Sequence, residues 1–183
     1  MAEPEAPGKR ELRHRITIAA PIEAVWAELT RLGGKQRAMM DTVLESTLEV
    51  GAPLYYKTAD GKRVFIVGRV VEVDPPRRLA HTQRLTMRDD PWTLVTWELE
   101  AVEGGTRVTL RHSGWPADTR GLEQVDGTWA TILRELKHLL ETGDISLGLK
   151  TRYALMRAMM WAMPARTRAE NVPPPDELAG LPT

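Results

Sequence analysis

Residues 12–18, LRHRITI, alternate apolar and polar, with Leu12, Ile16 and Ile18 sharing a parity that His14 interrupts. A period of two predicts a half-buried strand. Pro21 then stands where a helix can begin at no cost, because the first helical N–H has no partner in any case. The following IEAVWAEL places Ile22, Val25, Trp26 and Leu29 on one helical face. Gly33-Gly34 stops that helix, and a short second one is expected over 35–40. From residue 42 the texture becomes strand: 42–49, 53–58, 63–73, 78–86, 92–101 and 106–113. The stops are Gly51, Asp60-Gly61, Asp74-Pro75-Pro76, the charged loop around Asp89-Asp90-Pro91, and Gly104-Gly105. Connections this tight join antiparallel neighbours, since a parallel crossover needs a dozen or more residues.

A long helix is expected over 120–142. Val125, Trp129, Ile132, Leu136 and Leu139 or Leu140 form one apolar stripe, Glu123, Arg134, Glu135, Lys137 and Glu141 lie off it, and Gly143 serves as terminator. About seven strands, one or two short helices after the first strand and a long terminal helix over one apolar sheet face make an α+β fold.

Charge and composition narrow the function. The 25 Lys+Arg residues balance 25 Asp+Glu, so there is no basic excess to displace phosphate counterions and nucleic acid is not an expected partner. With no cysteine there is no disulfide framework and no thiolate metal site. The four histidines, at 14, 81, 112 and 138, lack metal-ligand spacing. Glu98 and Glu100 face away from Trp97, and His112 and Ser113 point to opposite sides of one strand, so neither pair builds a catalytic centre. No metal, cofactor or catalytic residue is expected, and an enzyme is the lesser expectation.

Four segments in a fixed order carry a resemblance: ITIAAPIEAVWAELT at 16–30, GRVVEVDPPRRLAHT at 68–82, WTLVTWELEAVEGGTRVTLRHSGW at 92–115 and TWATILRELKHLLETG at 128–143. The chain resembles the START-like (SRPBCC, pollen-allergen-like) superfamily. Within it, it is most similar to bacterial relatives of the C-terminal domain of the activator of the 90-kDa heat-shock-protein ATPase. The resemblance implies a helix-grip fold, a curved antiparallel sheet wrapped around the long C-terminal helix with a cavity between them. Two departures stand out. A tryptophan common just after the first helix is replaced by Lys35–Met40, and a Met-rich segment is added beyond residue 144.

The resemblance further implies a small apolar or amphipathic ligand in that cavity, and strand parity says which residues face it. His81 and Gln83 share a face with Leu79 and Leu85; Trp97 shares one with Val95 and Leu99; His112 shares one with Val108 and Leu110. Trp129 meets them from the helix. Phe65 and Tyr56 join this expected ligand-binding set, although strand 63–73 has two competing apolar parities and an expected bulge at Gly68. Alternative readings are a cyclase- or hydrolase-type enzyme with His81 or His112 as general base, and a chaperone-associated interaction protein.

Beyond Asp144, Leu149, Tyr153, Met156, Met160 and Met163 recur at helical spacing, and no acidic residue occurs before Glu170. This Met-rich helix at 144–163 is read as packing on the parent domain, as a homodimer contact through 145–163, as a membrane-surface helix or as a cap on the cavity. The expected organisation is a disordered N-terminal tail at 1–10, the helix-grip domain at 11–143, that helix, and a Pro-rich mobile tail at 164–183. No stretch reaches the ~18 apolar residues of a spanning segment, and with no secretory signal in 1–10 a cytoplasmic location is expected.

Overall fold

The computed structural model describes residues 9–116, 119 and 121–173. The alternation in the sequence sends one face of each long strand inward. Leu79, His81 and Gln83 of β6 (Arg78–Leu85), Val95, Trp97 and Leu99 of β7 (Thr93–Val102), and Val108, Leu110 and His112 of β8 (Gly105–Pro116) are all at most 4 % exposed. β1 (Lys9–Ile18) pairs with β8, and β5 (Val64–Asp74), β4 (Pro53–Lys57), β3 (Thr42–Glu45) and β2 (Lys35–Gln36) follow beyond β6. The result is one eight-stranded antiparallel sheet in the order β1-β8-β7-β6-β5-β4-β3-β2.

Two helices complete the domain, α1 (Ile22–Leu29) and α2 (Leu122–Thr142). α2 lays Leu122, Val125, Trp129, Ile132, Leu133 and Leu136 on the inner sheet face. Gly143, at φ 85°, ends it in the left-handed region and returns its N–H to the Leu139 carbonyl at 2.8 Å. Polar contacts hold its outer flank to β1. His14 Nε2 meets Asp126 Oδ1 at 2.8 Å, and Lys137 Nζ donates to the Thr17 carbonyl at 2.7 Å.

The helix expected over 35–40 is absent. Lys35 and Gln36 instead pair with β3 as an eighth strand. The cause is the buried end of α1, whose last carbonyls need a donor. The fully buried Gln36 side chain supplies one, reaching the Leu29 carbonyl at 2.8 Å and that of Glu28 at 3.3 Å. Met40 and Asp41 then take left-handed φ values of 58° and 57°, which no right-handed helix tolerates.

β5 also departs from expectation. Its register shift against β6 falls between Val70 and Glu72, and a second, against β4, at Phe65; Gly68 is not the bulge. Gly68 answers a different constraint, because a β-carbon there would lie 1.9 Å from the Thr82 carbonyl oxygen. Where the strands crowd, the Thr82 hydroxyl takes over from the ladder, accepting from the Arg69 N–H at 2.9 Å.

The two ends differ from the expected tails. The first strand starts at Lys9, within the segment expected to be disordered; residues 1–8 lie outside the described residues. Residues 164–173, expected as a mobile tail, run back along the outer sheet face in short 3-10 turns (Ala165–Thr167 and Ala169–Asn171). Arg63 reaches the Pro164 carbonyl at 3.1 Å and Thr167 Oγ1 at 2.7 Å, while Val172 packs on Tyr55, Val64 and Val67. These three β4–β5 side chains point away from the main core and need a cover, which explains the order of this Pro-rich stretch. The remainder, 174–183, lies outside the described residues.

Gly68→Ala is expected to lower stability by about 1–3 kcal/mol, read as a drop in urea midpoint, because the obstacle is backbone and cannot rotate away.

Candidate functional site

The inner face of the sheet divides into a packed end and a hollow end. At the packed end, Trp129 of α2 donates through Nε1 to His112 Nδ1 at 2.8 Å. That fixes the tautomer: the other ring nitrogen, Nε2, carries the proton and donates to Thr93 Oγ1 at 2.8 Å. Thr93 in turn donates to the Gln83 backbone carbonyl at 2.9 Å. Rings close around this chain edge to face, Trp97 on Trp129 at 5.7 Å and Trp115 on His112 at 4.8 Å. His81 donates from Nδ1 to the Thr82 carbonyl at 3.0 Å and lies 6.3 Å from the Tyr56 ring.

Burial holds both imidazoles neutral. Desolvation lowers His81 to about 4, partly opposed by its bond to Thr82. Desolvation, with the nearby His81, lowers His112 to about 3. Desolvation likewise raises the Tyr56 phenol well above its ordinary value.

At the hollow end the sheet and α2 diverge around a cavity of about 420 Å³, within the roughly 300–1,000 Å³ of small-molecule sites. Ile66, Gln83 and Leu85 form its sheet side, and Val125, Trp129 and Ile132 its α2 side. The roof is a third helix, α3 (Leu147–Ala158), contributing Leu149, Tyr153 and Met156, with Ala38, Met39 and Met40 closing the side. Burial pushes the Tyr153 phenol up to about 12, so it stays protonated.

α3 is held there by polar anchors. Glu135, expected on the solvent face of α2, is 4 % exposed because its carboxylate accepts from Ser146 N at 3.0 Å and Ser146 Oγ at 2.8 Å. Ser146 also caps α3 by accepting from Leu149 N. Asp144 is paired with Lys150 and Arg37, which hold its carboxyl down at about 2. At the far end Arg157 meets Asp41 at 3.2 Å.

The seven expected ligand residues therefore separate. Gln83 and Trp129 line the cavity; His81, His112, Trp97, Phe65 and Tyr56 sit in the packed core behind it. The parity that put them on the inner face was right, but depth along the face decides between core and cavity. Neither histidine reaches the hollow, so neither is placed to act there as a general base. α3, read among other possibilities as a cap on the cavity, supplies Leu149, Tyr153 and Met156, while the turn at 38–40 and the polar rim, Arg88, Gln124 and Arg152, were not assigned to the cavity by sequence reasoning. The apolar spacing of Leu149, Tyr153 and Met156 was the available signal for the roof.

Residues 19–141 match the family described as Activator of Hsp90 ATPase homolog 1-like protein. The chain belongs to this family. The Aha1 dimer of Colwellia psychrerythraea is 25% identical with a TM-score of 0.61, over 73% of this chain and 98% of that one. A protein of Mesorhizobium loti is 23% identical with a TM-score of 0.61, over 74% of this chain and 100% of its own. CalU16 from Micromonospora echinospora is 23% identical with a TM-score of 0.56, over 84% of this chain and 86% of that one. These likenesses bear out the helix-grip fold, and the family match is consistent with the expected START-like superfamily. Among curated proteins none matches. No helix among the described residues is long and apolar enough to cross a membrane, and none of their His, Asp and Glu side chains cluster as metal ligands.

The buried histidines set an acid limit on stability. Each has a folded value below the ordinary 6.5, so below that pH the unfolded chain binds up to two more protons than the folded one. Stability is expected to be complete above about pH 7 and to fall on acidification toward pH 4.5, with a slope approaching about 2.7 kcal/mol per pH unit. Urea melts across that window check it; a flat profile would mean that the imidazoles charge without unfolding.

Proposed function

We propose that the protein binds a small apolar or amphipathic molecule in the cavity beneath α3. The supporting observation is the cavity itself: about 420 Å³ with mainly apolar walls, roofed by a helix that the matched family segment does not include. Apolar walls left in contact with water are unfavourable, and an apolar molecule seated on them removes that surface from solvent. Native mass spectrometry of the purified protein should reveal a co-purifying small molecule. Added dodecanol should raise the melting temperature with concentration, by the equivalent of about 2.7 kcal/mol at one hundred times its dissociation constant. No adduct and no shift across a panel of apolar probes would remove this reading.

The family description also carries a chaperone reading, which would act through the surface; absence of a complex with the 90-kDa chaperone in a pull-down would remove it. A homodimer through residues 145–163 is favoured by a separate observation. While α3 turns Leu149 and Tyr153 inward, Leu147, Leu155, Met159 and Trp161 on or just beyond it are 79%, 61%, 56% and 83% exposed. The Colwellia psychrerythraea Aha1 is a dimer. Sedimentation should give twice the chain mass, reverting to the chain mass in Trp161→Glu; a monomer at every concentration would overturn the dimer.

A further inference from the structure

Two polar groups on the cavity are left unused by the fold. The first is the Gln83 side chain. Its residue is 3 % exposed, its backbone carbonyl is taken by Thr93, and its Oε1 has no hydrogen-bond partner. Buried amide oxygens almost always find a donor, and the neighbours of Gln83 on this cavity, Ile66 and Leu85, offer no side-chain donor. The second is Arg152 on α3. It lines the cavity from an exposed position and makes no ion pair among the described residues. Nearby carboxylates are already committed: Asp41 to Lys35 and Arg157, Glu135 to Ser146. Arg88, also on the rim, is occupied by Asp90 at 3.1 Å and by Gln124 at 3.4 Å. The hollow thus has a free guanidinium at its mouth, a carboxamide inside, and apolar walls around it.

We propose that the ligand is an elongated apolar acid, whose anionic end pairs with Arg152 at the rim and whose inner end carries a hydroxyl or amide group that hydrogen-bonds the Gln83 carboxamide. This rests on the cavity being a binding site and adds the chemistry of the two ends. A carboxylate matches the planar fork of a guanidinium. A hydroxyl both donates and accepts, so it satisfies the carboxamide in either orientation.

The test is isothermal titration of the full chain with four twelve-carbon probes: dodecanoate, 12-hydroxydodecanoate, dodecanol and dodecyltrimethylammonium. Wild type should bind dodecanoate tighter than dodecanol by about tenfold or more, and the trimethylammonium probe weakest, as a free cation at the rim requires. The 12-hydroxy acid should gain a further factor of about three to ten over dodecanoate. Arg152→Gln should abolish the preference for the acid while leaving dodecanol affinity unchanged. Gln83→Leu should abolish the preference for the hydroxy acid and, by removing an unpaired buried oxygen, raise the melting temperature of the empty protein. Equal affinity of wild type for all four probes, or preferences that survive the substitutions, would overturn the assignment while leaving the cavity as a binding site. A lower melting temperature in Gln83→Leu would also overturn it, by showing that the amide serves the fold. Binding of none of the four would overturn both readings.

Discussion

The hydrogen-bond chain from Trp129 through His112 and Thr93 to the Gln83 carbonyl is the constraint on which the interior depends. It links α2 to β8, β7 and β6 in three steps, and each polar atom on it is committed in a single direction. An indole N–H can only donate, so His112 must accept at Nδ1; the imidazole must then donate at Nε2, and the threonine hydroxyl must pass its own proton onward. A charged His112 would have no lone pair for Trp129, so desolvation and geometry demand the same neutral ring. The chain fixes where α2 rests on the sheet, and the tryptophans packed on it set how close the two layers come.

Because the layers are pinned together at that end, they separate at the other. Gln83 stands on the boundary: its backbone closes the chain while its side chain enters the hollow. Beyond Gln83, Ile66 and Leu85 on the sheet and Val125 and Ile132 on α2 leave open space between them. α3 and the left-handed turn at Met40–Asp41 cover it. Core and cavity are therefore two ends of one surface, separated by the reach of the aromatic side chains.

This explains what could be read from the residues and what could not. Parity on β6, β7 and β8 identified the inner face, and the Val125–Trp129–Ile132–Leu136 stripe identified the helix that meets it, because both depend only on local period. Depth along the face depends on which large side chains meet across the layers. Trp97 and His112 have the same pattern as Gln83 but not the same neighbours. The eighth strand was hidden because Gln36 is recruited by the end of α1, a tertiary demand with no local signature. Glu135 looked like a surface residue since its partner, Ser146, comes from the start of a different helix. The ordering of 164–173 was missed for a similar reason, as the apolar patch it covers lies on the reverse side of β4 and β5.

The anchors of α3 are unequal. Glu135 and Ser146 hold its beginning through bonds on a buried carboxylate, which mobile ions screen little. Its other end rests on the exposed guanidinium of Arg157 against Asp41, a contact that salt weakens readily. Added salt therefore loosens the surface ties of Asp144 and Arg157 while the buried Glu135–Ser146 bonds persist, so the roof keeps its root even where its outer fastenings give way.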